Sequence, residues 1–307
     1  MSPSAGAAHV LLVEPYRFRL NPETVATNVF QEPVAPEEEP VLAALALEQH
    51  RQLRDLLVEA GVTVTLTRST EATPDAPFCN NWLSPHPRGL GGQAATLVIY
   101  PLLAENRRAE RRRDLIELLR PAYPRIVDLS AHEQAGRYLE STGSLVLDHP
   151  NRTGYAALSP RTDAGLAAEW ARELGYDLVA FTGVDLQGVP YYHTNVLMFI
   201  GHEMAGVCLE AIESPGERRA VQERLASGGN RILRLTRHQV AEFCGNCLAL
   251  VSAAGDRLWV MSSRAWRAFS EEDLVELEHH GRILHTELSA FERLGGGSAR
   301  CLIAELF

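Results

Sequence analysis

The sequence predicts an α/β fold in which one strand–strand–helix–strand unit repeats around a ring. Three observations predict it. The same order of elements recurs along the chain. The leading strands begin near Gly143, Asn195, Asn246 and Ala299, at steps of 52, 51 and 53 residues. The first and last segments each supply part of one unit. A period of this size without residue-by-residue identity marks a repeated supersecondary unit. An open array would need polar end caps, whereas a chain whose two ends share a unit closes on itself.

Taken in order, the first unit offers the strand "HVLLV", a helix around "VLAALALEQHRQLRDLLVEAG" and the strand "VTVTLT". The second is less regular, with "AATLVIYP", a helix over "AENRRAERRRDLIELL" and "RIVDLS". Its basic run, Arg107 to Asp114, has acidic neighbours and reads as a solvated helix face. In the third, "SLVLDH" and "YAALS" flank a "PNRTG" turn. The helix "RTDAGLAAEWARELG" follows, with Leu166, Trp170 and Leu174 four apart on one face, and then "DLVAF". The fourth runs from "NVLMFIG" through "GVCLEAI" to a helix opened by Ser-Pro and closed by glycines, ending in "RILRL". The fifth is "CLALVS", "RLWVMS", the helix "SEEDLVELEHHG" and "ILHTEL". Cys301 then opens a truncated copy that completes the first unit, which makes residues 1–307 one domain.

Composition bounds the function. A chain of 307 residues, 46% apolar and 22% charged, has ample material for a core. The net charge of −10 argues against nucleic acid and anionic membrane surfaces as partners. No stretch approaches the ~20 apolar residues of a membrane span. The first residues lack a basic segment ahead of an apolar one, so no signal peptide is expected. Five unevenly spaced cysteines point to a reducing cytoplasm rather than a disulfide framework. The pair in "CGNC" (244–247) has no second pair or finger-spaced histidine, and it precedes a strand, so neither zinc nor a thioredoxin-type site is expected. No phosphate-cradling glycine motif occurs. No cofactor and no metal are expected.

Each leading strand follows a polar cluster: "PDAPFCNNWLSPH" (74–86), "RYLESTGS" (137–144), "VPYYHTN" (189–195), "EFCGN" (242–246) and "GGGSARC" (295–301). In a closed ring these strand ends converge, bringing Asn81, Glu140, His193, Asn195, Asn246 and Cys301 together. The glycines before Cys301 let backbone approach closely. Cys301 is the candidate nucleophile and His193 the candidate base. Glu140 is either a turn-former or the group that orients that base. Cys79, Cys208 and Cys247 read as small buried hydrophobes.

These clusters, in this order, resemble the pentein superfamily, in its amidinotransferase-like or citrulline-utilisation hydrolase branch. The resemblance spans nearly the whole chain. It implies a five-bladed α/β propeller, a pseudo-fivefold ring of ββαβ modules with the site on its axis. It further implies a cysteine-dependent hydrolase of ureido or guanidino groups, with Cys301 as nucleophile, His193 as acid/base and Glu140 in support. Asn81, Asn195 and Phe78 would bind substrate. The expected partner is a small amino acid; a homodimer stays open.

Two departures matter. Arginine deiminases, more distant in resemblance, carry aspartates at the positions of Asn81 and Asn195. Paired carboxylates suit a guanidinium, whereas two amides offer a donor and an acceptor each and suit a neutral ureido group. This favours citrulline, hydrolysed to ornithine, ammonia and carbon dioxide. Arginine deiminase, amidinotransferase and non-catalytic binding protein are the alternatives. Ser141 stands where the family often has glycine. For the substrate carboxylate, Arg88, Arg137 and Arg300 are unranked candidates.

Overall fold

A computed structural model describes residues 6–88 and 94–307. Its strands form five three-stranded sheets, each with an antiparallel pair and a parallel return. Strands β3 (Leu83–His86), β4 (Thr96–Ile99) and β5 (Arg125–Asp128) make one sheet. The next is β6 (Val146–Asp148), β7 (Thr153–Ala157) and β8 (Asp177–Phe181), then β9 (Met198–Gly201), β10 (Met204–Val207) and β11 (Arg231–Arg234). After it come β12 (Leu248–Val251), β13 (Arg257–Ser262) and β14 (Arg282–Thr286).

The remaining sheet joins the two chain ends. Strand β1 (His9–Glu14) pairs in parallel with β2 (Thr63–Arg68) and antiparallel with β15 (Ala304–Leu306). His9 lies opposite Leu306 and Leu11 opposite Ala304. The chain therefore closes as the repeat requires, and the architecture is the pentein ring of ββαβ modules.

Burial follows position in each module. The middle strands are almost wholly buried, and the outer strands β2, β5, β8, β11 and β14 are half exposed. Leading strands of neighbouring modules pack on one another, β6 on β9, β9 on β12, and β15 on β3. The crossover helices are set by local chemistry. Asp163 caps Ala164–Leu174 by accepting from the Leu166 N–H, and Gly175 ends it at φ +69°. Ser214 caps Pro215–Ser227, and Ser270 with Asp273 forms a capping box on Glu271–His280. Leu166, Trp170 and Leu174 are buried, as their spacing predicts.

Two local expectations differ. The polar clusters do not run straight into strands; they form single tight turns, at Cys79–Asn81, Ser141–Ser144, Thr194–Val196 and Ala299–Leu302. Cys301 therefore sits on a turn, with its strand beginning at Ala304. The helix expected over residues 104–119 splits into a tight turn, Glu105–Glu110, and a short helix, Arg113–Leu119. This rotates Arg107 and Glu110 inward, where both are only 2% exposed. The reading of the basic run as a solvated face fails at these two residues.

Residues 15–38 pack over the ends of the leading strands. Asn28 Nδ2 donates to the Gly295 carbonyl at 3.0 Å and Gln31 Nε2 to that of Leu294 at 3.1 Å. Among the described residues no helix is long and apolar enough to cross a membrane.

Candidate active site

The turns converge on a narrow, polar pocket whose free space is about 10 Å³, room for about one water. Phe78, Asn81, His193 and Cys301 line it, and Asp75, Arg107, Arg161 and Tyr192 complete its polar wall.

Glu140 is fully buried ahead of the Ser141–Ser144 turn. Its Oε2 accepts from His193 Nε2 at 2.8 Å and from Arg161 at 3.4 Å, and its Oε1 accepts from the Leu103 N–H at 3.1 Å. Burial alone would raise its pKa, but Arg161, the His193 bond and Arg107 outweigh burial and hold the carboxyl well below its usual range. His193 is brought down to about 4 by burial, with Glu140 pulling the other way. At neutral pH the pair is a carboxylate accepting from a neutral imidazole. That bond fixes the proton on Nε2 and leaves Nδ1 as the acceptor.

The turn explains two small residues. Ser141 takes φ +46°, the left-handed region that glycine occupies freely, and its hydroxyl offsets the strain by donating to the Leu83 carbonyl at 2.8 Å. A Cβ on Gly143 would lie 2.6 Å from Asn81 Nδ2 and 2.6 Å from the His193 ring. Only a hydrogen there lets both side chains reach the cavity.

Cys301 is 3% exposed. Its Sγ receives Asn246 Nδ2 at 3.2 Å and Asn195 Nδ2 at 3.6 Å. Burial pushes its pKa up, while the Asn246 N–H pulls it down. Among the described residues no hydrogen bond joins Sγ to His193; the two face one cavity. Phe78 closes that side, packed edge-on against Phe18 and Phe291. A Cβ on Gly297 would meet its ring at 2.9 Å, so the glycine run serves close approach here.

Asn81 lies in the cavity wall, but its amide is engaged. Oδ1 accepts from Arg107 at 2.9 Å, and Nδ2 donates to Asn80 at 3.1 Å. Asn195 lies behind Cys301 and does not line the cavity.

Three charged residues were not singled out by sequence. Arg107 forks onto Glu110 at 2.9 Å through two nitrogens and reaches within 3.8 Å of Glu140. Burial lifts the Glu110 pKa to about 7, with Arg107 opposing. Arg161 donates to Thr27 Oγ1 and to the Thr24 carbonyl of the covering segment, and lies over the Tyr192 ring. Asp75 accepts from Asn21 at 2.7 Å through Oδ2; its other oxygen is buried with no partner. Burial raises its pKa. Asp75 stood inside a quoted cluster, and only its placement between prolines and an aromatic hinted at burial.

None of the three arginines nominated from sequence lines the cavity. Arg88 is exposed, Arg137 bonds His132, and Arg300 turns behind Cys301 to the Ile303 carbonyl and Glu305. The thiols of Cys244 and Cys247 are buried against the carbonyls of Ala265 and Cys244. Among the described residues no group of three or more His, Cys, Asp or Glu could hold a metal ion.

Comparison with known proteins bears on the fold and the family. The N-terminal domain of ArgZ, an arginine dihydrolase from the ornithine–ammonia cycle in cyanobacteria, solved as a cysteine-to-serine mutant bound to substrate, superposes with a TM-score of 0.74 at 17% identity, covering 97% of this chain and 98% of that one. Unliganded AgrE gives 0.75 at 18% identity, covering 96% of this chain and 38% of that one. A dimethylarginine dimethylaminohydrolase variant, as its adduct with S-methyl-L-thiocitrulline, gives 0.66 at 16% identity, covering 98% and 100%. The chain thus spans about two fifths of full-length ArgZ and AgrE. No curated protein sequence matches it. The family described as N,N-dimethylarginine dimethylhydrolase, eukaryotic, matches residues 14–307. With that match over nearly all its length, on a ring of five modules, the chain belongs to this family within the pentein superfamily of guanidino-modifying enzymes.

Proposed function

We propose that the protein is a cysteine-dependent hydrolase acting on the terminal ureido or guanidino group of an arginine-related amino acid, with citrulline as the first substrate to test. The observation that carries this is one pocket lined by Cys301, by His193 with Glu140 bonded behind it, and by the buried Arg107 and Arg161.

The α-carboxylate would be held by Arg161 and Arg107 and the α-ammonium by the unpartnered oxygen of Asp75. The terminal group then reaches Cys301. Its thiolate attacks the ureido carbon, forming an S–C bond and a tetrahedral oxyanion. His193, which takes up at Nδ1 the proton the thiol loses and is stabilised as a cation by Glu140, gives that proton to the leaving nitrogen as the C–N bond breaks, releasing ornithine and leaving a carbamoyl group on sulfur. Water, deprotonated by His193, then frees the thiol, giving carbon dioxide and ammonia.

A second reading has a specific support. Asp75 lines the pocket with an unpartnered oxygen and Glu140 lies behind His193, and a guanidinium suits carboxylates better than the amides the sequence put forward for the substrate. Arginine would then be hydrolysed twice, taking two waters and giving ornithine, carbon dioxide and two ammonias, with the ureido compound as intermediate. The name arginine dihydrolase, borne by ArgZ, describes that outcome. The test is a panel of citrulline, arginine and N,N-dimethylarginine, with ammonia and amine products measured separately. Ornithine from citrulline alone supports the first reading and ornithine from arginine the second. No turnover of any of the three would overturn both.

A further inference from the structure

A buried thiol needs a reason to ionise, and the imidazole does not supply one, since His193 is bonded to Glu140 and not to sulfur. The shortest side-chain hydrogen bond to Cys301 Sγ comes from Asn246 Nδ2, at 3.2 Å. Asn195 Nδ2 is farther, at 3.6 Å.

The orientation of the Asn246 amide follows from its surroundings. Nδ2 carries two protons, and one goes to the Asn195 carbonyl at 2.9 Å. Flipped by half a turn, the amide would set its own oxygen against that carbonyl, acceptor against acceptor. The second proton is therefore directed at sulfur. A thiolate accepts that bond strongly and a thiol only weakly, so the contact favours the ionised form.

The amide is also rigidly held. Asn246 is 1% exposed and closes a turn in which Phe243 takes φ +62° and the Asn246 N–H returns to the Phe243 carbonyl. A Cβ on Gly245 would lie 2.0 Å from the Val196 carbonyl oxygen, so only glycine lets this turn seat on Thr194–Val196. The Asn246 carbonyl accepts from the Arg300 N–H at 3.3 Å, one residue before the cysteine. One residue thus touches both the turn bearing Asn195 and the turn bearing Cys301. Its Oδ1 is left buried without a partner. The fold tolerates that cost with both N–H groups committed.

Resting on the reading that Cys301 is the nucleophile, we propose that Asn246 is a catalytic residue whose side-chain N–H holds the Cys301 sulfur as a thiolate and aims it before substrate binds. The amide does this without adding a positive charge to a site that must accept an ammonium or guanidinium. Replacing it by a carboxylate of the same shape would turn donor into acceptor and oppose ionisation.

The test is the pH dependence of Cys301 alkylation by iodoacetamide, read by mass spectrometry on the intact protein, for the wild type, Asn246→Ala and Asn246→Asp. The midpoint should rise by about one unit in the alanine variant, with alkylation near pH 7 slowed about tenfold, and rise further in the aspartate variant. The ratio kcat/KM should fall with it. A folded Asn246→Ala protein with an unchanged midpoint overturns the proposal, since a purely structural role would lower Tm and leave the titration in place. If the alanine variant does not fold, Asn246→Ser, which keeps a shorter donor, takes its place, and a midpoint matching wild type in both Asn246→Ser and Asn246→Asp overturns it. Because the readout is thiol ionisation, it stands apart from the nucleophile assignment, which fails only if Cys301→Ala still turns over substrate.

Discussion

Two turns of the molecule, Cys79–Asn81 and Ala299–Leu302, occupy equivalent places in neighbouring modules, pack together, and each carries a cysteine. Both thiols are buried, at 0% and 3% exposure. Their partners are opposite. Cys79 Sγ faces the carbonyls of Leu11 at 3.4 Å and Leu302 at 3.6 Å, which accept from a thiol and repel a thiolate. Burial pushes its pKa to about 12. Cys301 Sγ instead has the N–H groups of Asn246 at 3.2 Å and Asn195 at 3.6 Å as its nearer partners, with the Asn195 side-chain oxygen farther off at 3.9 Å. Burial is shared, and what would set the proposed nucleophile apart from an inert thiol is the polarity of the groups around it.

The largest effect should come from exchanging roles across this pair. Cys301→Ala should lower turnover by about 10⁴-fold or more, whereas Cys79→Ala should leave kcat within about twofold and cost about 1–2 kcal/mol in urea unfolding. Comparable losses of turnover in the two variants would break the comparison.

Next in size is Gly143→Ala. Its methyl would press on His193 and Asn81, so kcat should fall about 10- to 100-fold through misplacement, with about 1–3 kcal/mol lost to overpacking. Steady-state kinetics beside thermal unfolding separate the two.

Within the basic run, Arg107→Lys should raise KM about tenfold, because the forked contact with Glu110 and the bond to Asn81 both need a guanidinium. Arg108→Lys, on a partly exposed side chain, should leave KM within about twofold. Equal effects would return the run to the solvated-face reading.

The smallest effect concerns imidazoles, where the same contrast of partners recurs. Burial brings His50, His149 and His193 to about 4. Unfolded, they titrate near 6.5, so between these values the unfolded chain binds more protons and stability falls as pH drops from about 6.5 toward 4. Glu110, raised to about 7 from 4.5, runs the other way, losing stability as pH rises through that interval. His9, His86, His202 and His285 are lowered as well, while Asp75, Glu292 and Glu305 join Glu110 among the raised carboxyls, so seven imidazoles stand against four carboxyls and the acid loss dominates. Both His50 nitrogens are buried without a partner. His50→Leu should therefore make the acid limb of Tm against pH measurably shallower; an unchanged slope would refute the assignment.

Much of this was legible in the sequence because repetition is a pattern of spacing. The period fixed the five modules, and ring closure then gathered Glu140, His193 and Cys301 without any knowledge of contacts. Arg107 and Glu110 stayed hidden because their burial depends on a helix breaking into a tight turn after Glu110, and a run of arginines looks the same on either path. Asp75 and Arg161 were illegible for another reason. Each is held by the segment of residues 15–38, through Asn21, Thr24 and Thr27, and that segment has no counterpart in the repeat. The inference from amides to a ureido substrate suffered accordingly, since Asn81 is engaged with Arg107 while a carboxylate missing from that inference faces the cavity.

Strand β15 lies beside β1, so His9 and Leu306, close to either end of the described chain, are neighbours in one sheet. A ring joined in this way has no obligatory seam. A permuted gene, with a short glycine linker bridging the old ends and new ones opened at the exposed turn of residues 186–188, would encode the same five blades in a different order. In such a molecule the cysteine would sit in mid-chain, and its chemistry would owe nothing to its place in the sequence.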